Sequence, residues 1–156
     1  MEEQSEALLV AAGRYVGEMD LLLDGFDHPG MKRPHLWDTR HSLELRKFLG
    51  CVADARRRAM CESVLSRFES VVLPLASPSA AAPLRGGIIH GDANDTNLLV
   101  GADSDDAVIG VIDFSDARGS WRVCEIAVSA AYAMLRKADP VADAVSVIRG
   151  YTSVYP

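Results

Sequence analysis

The sequence contains few cysteines, and they do not form a recognisable site. Cys51, Cys61 and Cys124 are odd in number, and no two of them have CxxC spacing. This usage predicts reduced, mostly buried thiols of the kind found in the cytoplasm. No apolar run approaches the about 18 residues that a bilayer-spanning helix needs, and the acidic amino terminus has no secretory-signal pattern. We therefore expect a cytoplasmic protein without a membrane partner.

Positive charge is also scarce. Lys and Arg number 16 against 22 Asp and Glu, a net charge of −6, and no basic run could follow a phosphate backbone. Nucleic acid is therefore not expected as a partner, whereas the acidic balance tolerates a cationic small substrate. The 156 residues are 49% hydrophobic and 24% charged, which is typical of one soluble globular domain. The sequence does not indicate the oligomeric state.

The stretch from Ile88 to Phe114 contains the residues best suited to chemistry. One apolar run ends in His90-Gly91-Asp92, Asn97 precedes a second, and a third ends in Asp113-Phe114. We expect these polar residues at strand ends within one small hairpin. A carboxylate that orients a hydroxyl, together with two oxygen ligands for Mg2+, suits phosphoryl transfer.

Each candidate has a role in this scheme. Asp92 is the candidate catalytic residue, as a general base or as the group that orients a substrate hydroxyl. Asn97 and Asp113 are the candidate Mg2+ ligands, and His90 is expected to hold the loop in shape. An isolated Asp in a turn is usually structural, but His-x-Asp-x4-Asn should arise by chance in well under ~5% of chains of this length. The combination of these residues therefore indicates a site, although each of them alone does not.

Hydrophobic spacing predicts mainly helices around this hairpin. The expected helices are 5–26, 39–50, a segment that Asp54 caps and that ends before Pro74, 122–137, and a last helix from Val141. In the helix 122–137, the residues expected to face inward are Val123, Ile126, Ala127, Ala130, Ala131 and Met134. The expected strands are 87–90, 98–100 and 108–112, and the strand 108–112 is expected to be buried on both faces. Segments 74–87 and 114–121 are expected to be loops. Gly13 and Gly17 predict the close approach of another element to the first helix.

The motif also resembles a known family. HGDANDTN followed by IDF is similar to the catalytic loop and metal-binding aspartate of protein-kinase-like enzymes. Glycine after the histidine and a short hairpin before Asp113 resemble the aminoglycoside phosphotransferase branch, which phosphorylates small molecules. Within that branch, the Asn94-Asp95 pair, the run from Val111 to Leu135 and the segment PHLWDTRHSLELRKFLG look most like the hydroxylysine kinases. The resemblance covers roughly 10–150 and is tightest over 88–135.

The resemblance implies roles for individual residues. Asp92 would be the catalytic aspartate, Asn97 and Asp113 would bind the metal, Phe114 would pack beneath the site, and Glu125 would have a structural role behind the catalytic loop. Asp95 and Asp116 flank the site, where they either meet a cationic amine or hold loop backbone.

The implied reaction follows from the same resemblance. With Mg2+, it would transfer phosphate from GTP or ATP to a small hydroxylated amine, and the first candidate substrate is 5-hydroxy-L-lysine. The alternatives are another amino alcohol (homoserine, choline or an aminoglycoside) and a non-catalytic fragment or isoform that acts only as a binding module.

Two family features are absent or altered. Ser115 replaces the glycine that protein kinases have after Asp-Phe, and no glycine-rich phosphate loop or strand lysine can be recognised. In the family those parts belong to a smaller N-terminal lobe. We therefore expect 1–156 to be a partial domain of α+β class, the protein-kinase-like C-terminal lobe. It would be mostly helical, with a small β-hairpin carrying the catalytic loop, without the nucleotide-binding lobe and truncated at its C-terminus.

Overall fold

Helices and short strands alternate along the chain, which has the expected α+β character. The computed structural model describes residues 4–102 and 104–156, apart from the side chains of 104 and 105. Over these residues the helices are α1 (Glu6–Leu22), α2 (Ala55–Arg67), α3 (Leu73–Leu75), α4 (Arg122–Ala133) and α5 (Pro140–Thr152). The strands are β1 (Gly86–Ile89), β2 (Leu98–Gly101), β3 (Ser104–Val111) and β4 (Arg118–Trp121). The chain divides into two units, Met1–His35 with Gly86–Pro156, and Leu36–Arg85.

In the first unit, α1 packs its apolar stripe into the core. Leu9, Val16 and Met19 are buried with Val147 and Tyr151 of α5, so the predicted core-facing helix is confirmed. The helix begins after Ser5, whose hydroxyl accepts a hydrogen bond from the Leu8 N–H at 3.0 Å. It ends at Leu22, four residues before the predicted end, because the chain turns through Gly25 at φ 76°.

Glycines permit the close approach of α1 and α5. A Cβ on Gly13 would overlap the carbonyl oxygen of Val147, and one on Gly150 would overlap the carbonyl oxygen of Val10. A Cβ on Gly17 would meet Val154 and Tyr151. The predicted close approach at Gly13 and Gly17 is therefore confirmed, and its partner is the last helix of the chain.

The strands form two separate antiparallel pairs rather than one hairpin. β1 pairs with β4, with Ile89 opposite Arg118, whereas β2 pairs with β3, with Leu98 opposite Val111. The predicted loop over 114–121 is thus wrong, since its second half is β4. The reason is that β4 buries Arg118 and Ser120, two polar residues that no hydrophobic pattern marks as a strand.

The third strand and α4 also depart from expectation. Ile109 is 65% exposed, so the strand before Asp113 is not covered on both faces. Helix α4 ends at Ala133 rather than near 137. It buries Ile126 and Ala130 as predicted, but Val123, Ala127, Ala131 and Met134 are exposed. Its inner face is partly polar, with Glu125 and Ser129 buried, which explains why apolar spacing alone identified only part of that face.

The second unit, Leu36–Arg85, contains a 3-10 segment over Thr39–Cys51 and then α2. Asp54 caps α2 by accepting from the Arg57 N–H at 2.8 Å, as predicted. The helical path continues through a π turn at Phe68–Val72 into α3, so the predicted stop before Pro74 is wrong. Pro74 follows directly after the π turn, where the i→i+4 bonding that a proline would interrupt is already broken.

The cysteines are reduced, but they are not mostly buried. Cys51 and Cys61 are exposed and Cys124 is buried, and all are free thiols. No helix in the described part of the chain combines the length and the hydropathy that crossing a bilayer requires.

Candidate active site

The predicted catalytic loop connects β1 to β2, and thus joins the two strand pairs. It leaves β1 through His90 and through Gly91, whose φ of 82° places it in the left-handed region that favours glycine. The backbone then turns tightly, with the Asn94 N–H donating to the Asp92 carbonyl at 2.8 Å and the Asn97 N–H to the Asn94 carbonyl at 3.1 Å. These turns bring Asp92 and Asn97 to the same side of the loop.

The carboxylate of Asp92 is held by two amide side chains. Its Oδ1 accepts from Asn94 Nδ2 at 2.9 Å, and its Oδ2 accepts from Asn97 Nδ2 at 3.1 Å. Asn97 Nδ2 also donates to the Asp92 carbonyl at 2.9 Å. Because the nitrogen of the Asn97 amide makes both bonds, its oxygen is the atom that could bind a cation. Asn97 is buried and Asp92 is half-buried.

His90 connects this loop to the segment that ends in Asp113. The ring is fully buried, and its Nδ1 accepts the Asp92 N–H at 3.3 Å. The proton therefore resides on Nε2, which donates to the Ile112 carbonyl at 2.9 Å. The Phe114 ring meets the His90 ring edge-on, with centroids 4.6 Å apart. Phe114 is nonetheless 51% exposed, so only part of it packs under the loop.

Asp113 follows directly after this connection. The Ile112 N–H donates to the Asn97 carbonyl at 3.0 Å, so the backbone beside Asp113 is tied to the backbone of the other candidate ligand. Asp113 adopts φ 63° and accepts the Ser115 N–H at 3.2 Å. Hydrogen bonds from Ser115 lower the pKa of the exposed Asp113 carboxyl, with a smaller contribution from His90. The carboxylate is thus ionised and accessible.

The two flanking acids lie in different environments. Asp95 is exposed in the loop, whereas Asp116 lies 2.9 Å from His35 Nε2 and is only partly exposed. Arg33 Nη2 donates to the Ser115 carbonyl at 2.5 Å. Residues 33–35 therefore hold the turn that follows Asp113, and Asp116 takes part in that attachment.

Behind the loop, Glu125 on α4 binds its backbone. The buried carboxylate accepts the His90 N–H and the Gly91 N–H, the latter at 3.1 Å to Oε1. Burial raises the pKa of Glu125 to about 7, Asp20 adds to the rise, and the Gly91 and His90 N–H groups and Arg118 oppose it.

A buried polar cluster beneath Glu125 was not predicted from the sequence. Arg122 Nη1 donates to Asp20 Oδ1 at 2.8 Å and to the Ile88 carbonyl at 2.7 Å. The Tyr151 hydroxyl donates to Asp20 Oδ2 at 2.6 Å. Burial, followed by this hydrogen bond, raises the pKa of Tyr151. The sequence feature that could have indicated this cluster is Asp20, an acidic residue on the apolar stripe of α1, four residues after Val16.

The candidate metal ligands suit a hard divalent cation. Among the described residues, no group of three or more His, Cys, Asp or Glu side chains could hold a metal ion, so a site made only of such ligands is not present there. One carboxylate and one amide oxygen, from Asp113 and Asn97, nevertheless fit Mg2+, which usually takes one or two protein oxygens and completes its shell with water and substrate phosphates.

Comparison with known proteins places this arrangement in a family. The whole chain, residues 1–156, matches the model of the phosphotransferase enzyme family (APH). Hydroxylysine kinase of Mus musculus is 28% identical over 97% of this chain and 42% of its own length. Hydroxylysine kinase of Bos taurus is 30% identical over 96% of this chain and 41% of its own length. The chain thus spans less than half the length of these curated relatives.

A solved structure shows the same fold. An amicoumacin kinase, in complex with AMP-PNP, Ca2+ and Ami, superposes with a TM-score of 0.62 over 99% of this chain and 45% of its own. At 17% sequence identity, this likeness concerns the fold alone. With the family match over all its residues, the chain belongs to the phosphotransferase enzyme family.

Proposed function

We propose that the protein transfers the terminal phosphate of a purine nucleotide, GTP or ATP, to the hydroxyl of a small amine, with 5-hydroxy-L-lysine as the first candidate. The observation that carries the proposal is the bonding of Asp92, Asn97 and the backbone before Asp113 into one assembly, through Asn97 Nδ2, the Ile112 N–H and His90. The substrate is suggested by the names of the relatives, which are hydroxylysine kinases.

In this proposal Asp92 acts on the acceptor hydroxyl. An ionised carboxylate has about four lone-pair sites, and two of those on Asp92 are used by Asn94 and Asn97. The remaining sites can accept a hydroxyl proton and orient its oxygen toward the phosphate. The two amide donors fix the plane of the carboxylate, which reduces the entropy lost in reaching the reactive geometry.

Asn97 Oδ1 and the Asp113 carboxylate would hold Mg2+. When bound, the cation would supply positive charge for the phosphate oxygens. Hydrogen bonding from Ser115 keeps Asp113 ionised by lowering its pKa. His90 connects the Asp92 N–H to the carbonyl of Ile112, the residue before Asp113. The nucleotide and Ca2+ in the complex of the amicoumacin kinase support a nucleotide donor with a divalent cation, and the preferred metal and base are part of the proposal.

For the amine of the substrate, we favour Asp95 over Asp116. Asp95 is exposed on the catalytic loop, whereas Asp116 already pairs with His35. The free thiols are compatible with our proposed location in the cytoplasm. We also propose that 1–156 corresponds to the large lobe of a kinase-like domain, because the glycine-rich phosphate loop is not found among these residues.

The experiment uses the natural full-length protein that carries residues 1–156. It measures transfer from labelled GTP and ATP, in Mg2+, to 5-hydroxylysine, homoserine, choline and an aminoglycoside. Lysine, which lacks only the hydroxyl, is the matched control acceptor. We expect hydroxylysine to become labelled and lysine to remain unlabelled. EDTA or Asp113→Asn should abolish the transfer. Transfer to another acceptor instead would identify a different amino alcohol kinase. Binding of hydroxylysine without transfer to any acceptor would contradict the proposal and favour a binding module.

A further inference from the structure

One buried side chain in the loop touches both halves of the candidate site without belonging to either. Asn94 is 6% exposed. Its Nδ2 donates to Asp92 Oδ1 at 2.9 Å, while its Oδ1 accepts the N–H of Thr96 at 2.8 Å and of Asn97 at 3.2 Å. The same oxygen accepts the Thr96 hydroxyl at 2.6 Å. The donor end therefore meets the candidate catalytic carboxylate, and the acceptor end meets the backbone of the candidate metal ligand.

We infer that Asn94 is a positioning residue that fixes Asp92 and Asn97 relative to each other, an inference that rests on the proposed function. An Asn that only stabilises a turn needs just its side-chain oxygen, which accepts backbone N–H groups two or three residues ahead. The additional bond from Nδ2 to Asp92 is not required for that turn. It uses the NH2 group, which Asp lacks, so Asn94→Asp removes this donor and sets a second carboxylate against Asp92, while an oxygen remains for the turn.

The hydrogen bond at the other carboxylate oxygen of Asp92 supports the same inference. Asp92 Oδ2 accepts from Asn97 Nδ2 at 3.1 Å, so Asn94, Asp92 and Asn97 form a closed set of hydrogen bonds. Carboxylate, amide and backbone then hold one another in place. A carboxylate restrained at both oxygens loses little freedom on binding a hydroxyl, and a misplacement of about 1 Å can lower a rate about 100-fold.

Three variants separate the two ends of Asn94. Asn94→Ala removes both, Asn94→Asp keeps an oxygen for Thr96 and Asn97 but loses the donor to Asp92, and Thr96→Val removes only the hydroxyl bond and serves as the matched control. The measured quantities are kcat, the KM for the acceptor and the Mg2+ concentration that gives half-maximal rate. Thermal unfolding verifies that each variant is folded at the assay temperature.

We expect Asn94→Ala to lower kcat about 100-fold and to raise the half-activating Mg2+ concentration about 10-fold. Asn94→Asp should lower kcat similarly without raising that Mg2+ concentration. Thr96→Val should change both by less than about twofold, and the acceptor KM should change little in all three. Folded Asn94→Ala with wild-type kcat and Mg2+ dependence would overturn the inference. So would equal effects of Asn94→Ala and Asn94→Asp on both quantities.

A readout without turnover separates this inference from the proposed function. Hydrogen exchange of the Thr96 amide, followed by NMR, reports directly on the acceptor end of Asn94. Exchange should accelerate at least about 10-fold in Asn94→Ala and stay near wild type in Asn94→Asp. If the wild type transfers no phosphate, the proposed function fails on its own, and unchanged Thr96 exchange in Asn94→Ala would then overturn the positioning role as well.

Discussion

Glu125 on α4 holds the backbone of Gly91, 34 positions earlier, with the N–H of Gly91 at 3.1 and 3.2 Å from its two carboxylate oxygens. The neighbouring His90 N–H donates to the same group. The loop from His90 to Asn97 is therefore anchored from behind by a buried acid, at the point where the chain leaves β1. Asp92 lies one residue beyond this anchor, so the anchor restricts where its carboxylate can be.

This buried acid predicts an unusual pH dependence of stability. The pKa of Glu125 is raised from its ordinary 4.5 to about 7, so the folded state holds the proton more tightly than the unfolded chain. Its contribution to stability is complete below pH 4.5 and is lost as the pH rises to about 7. Urea unfolding between these pH values should show a loss on the order of 3 kcal/mol for wild type relative to Glu125→Gln. An identical pH slope for the two proteins would contradict this account.

The pair of Arg122 with Asp20 should be strongly coupled because both side chains are buried, at 2% and 0% exposure. Arg122→Met removes the buried cation from beside the Asp20 carboxylate and should cost about 3–5 kcal/mol of unfolding free energy. In an Asp20→Asn background the same substitution should cost much less. The control is Arg14→Met, whose pair with Glu18 is exposed and should contribute at most about 1 kcal/mol. Equal costs of Arg122→Met in both backgrounds would show that the pair is not coupled.

The packing of α1 on α5 should not tolerate a single methyl group. Gly13→Ala would place a Cβ against the Val147 carbonyl and should reduce the free energy of unfolding by about 1–3 kcal/mol. Gly50→Ala is the control, since its Cβ would meet no atom within 4 Å, and it should be neutral or slightly stabilising. Denaturant unfolding of both variants measures the difference, and a stability of Gly13→Ala equal to that of Gly50→Ala would exclude the close packing.

The sequence predicted local features well because their signals are local. The apolar stripe of α1 and the cap at Asp54 depend on residues within one or two turns, and both are present. The motif that carries the site is equally local, since His90 to Asn97 form one loop. Asp113 was recognised by the residues around it, while its attachment to the loop through Ile112 became visible only in the structure.

The sequence failed where distant residues determine the structure. The polar residues of β4 predict a loop, because polar residues normally indicate exposure, but the fold buries Arg118 and Ser120. The pairing of β1 with β4 instead of β2 is likewise a long-range choice. The cluster of Asp20, Arg122 and Tyr151 joins α1, α4 and α5, and spacing within one helix does not reveal such a partner.

The central claim is that Asp92 acts on the acceptor hydroxyl, and one substitution tests it directly. In the natural full-length protein, Asp92→Asn should keep nucleotide binding but lower the rate of phosphate transfer to 5-hydroxylysine by about 100- to 10,000-fold, because the amide cannot take up the hydroxyl proton. Asp27→Asn makes the same change at an exposed carboxylate paired with Lys32 and should retain full activity. An Asp92→Asn protein that transfers phosphate at the wild-type rate would contradict the account.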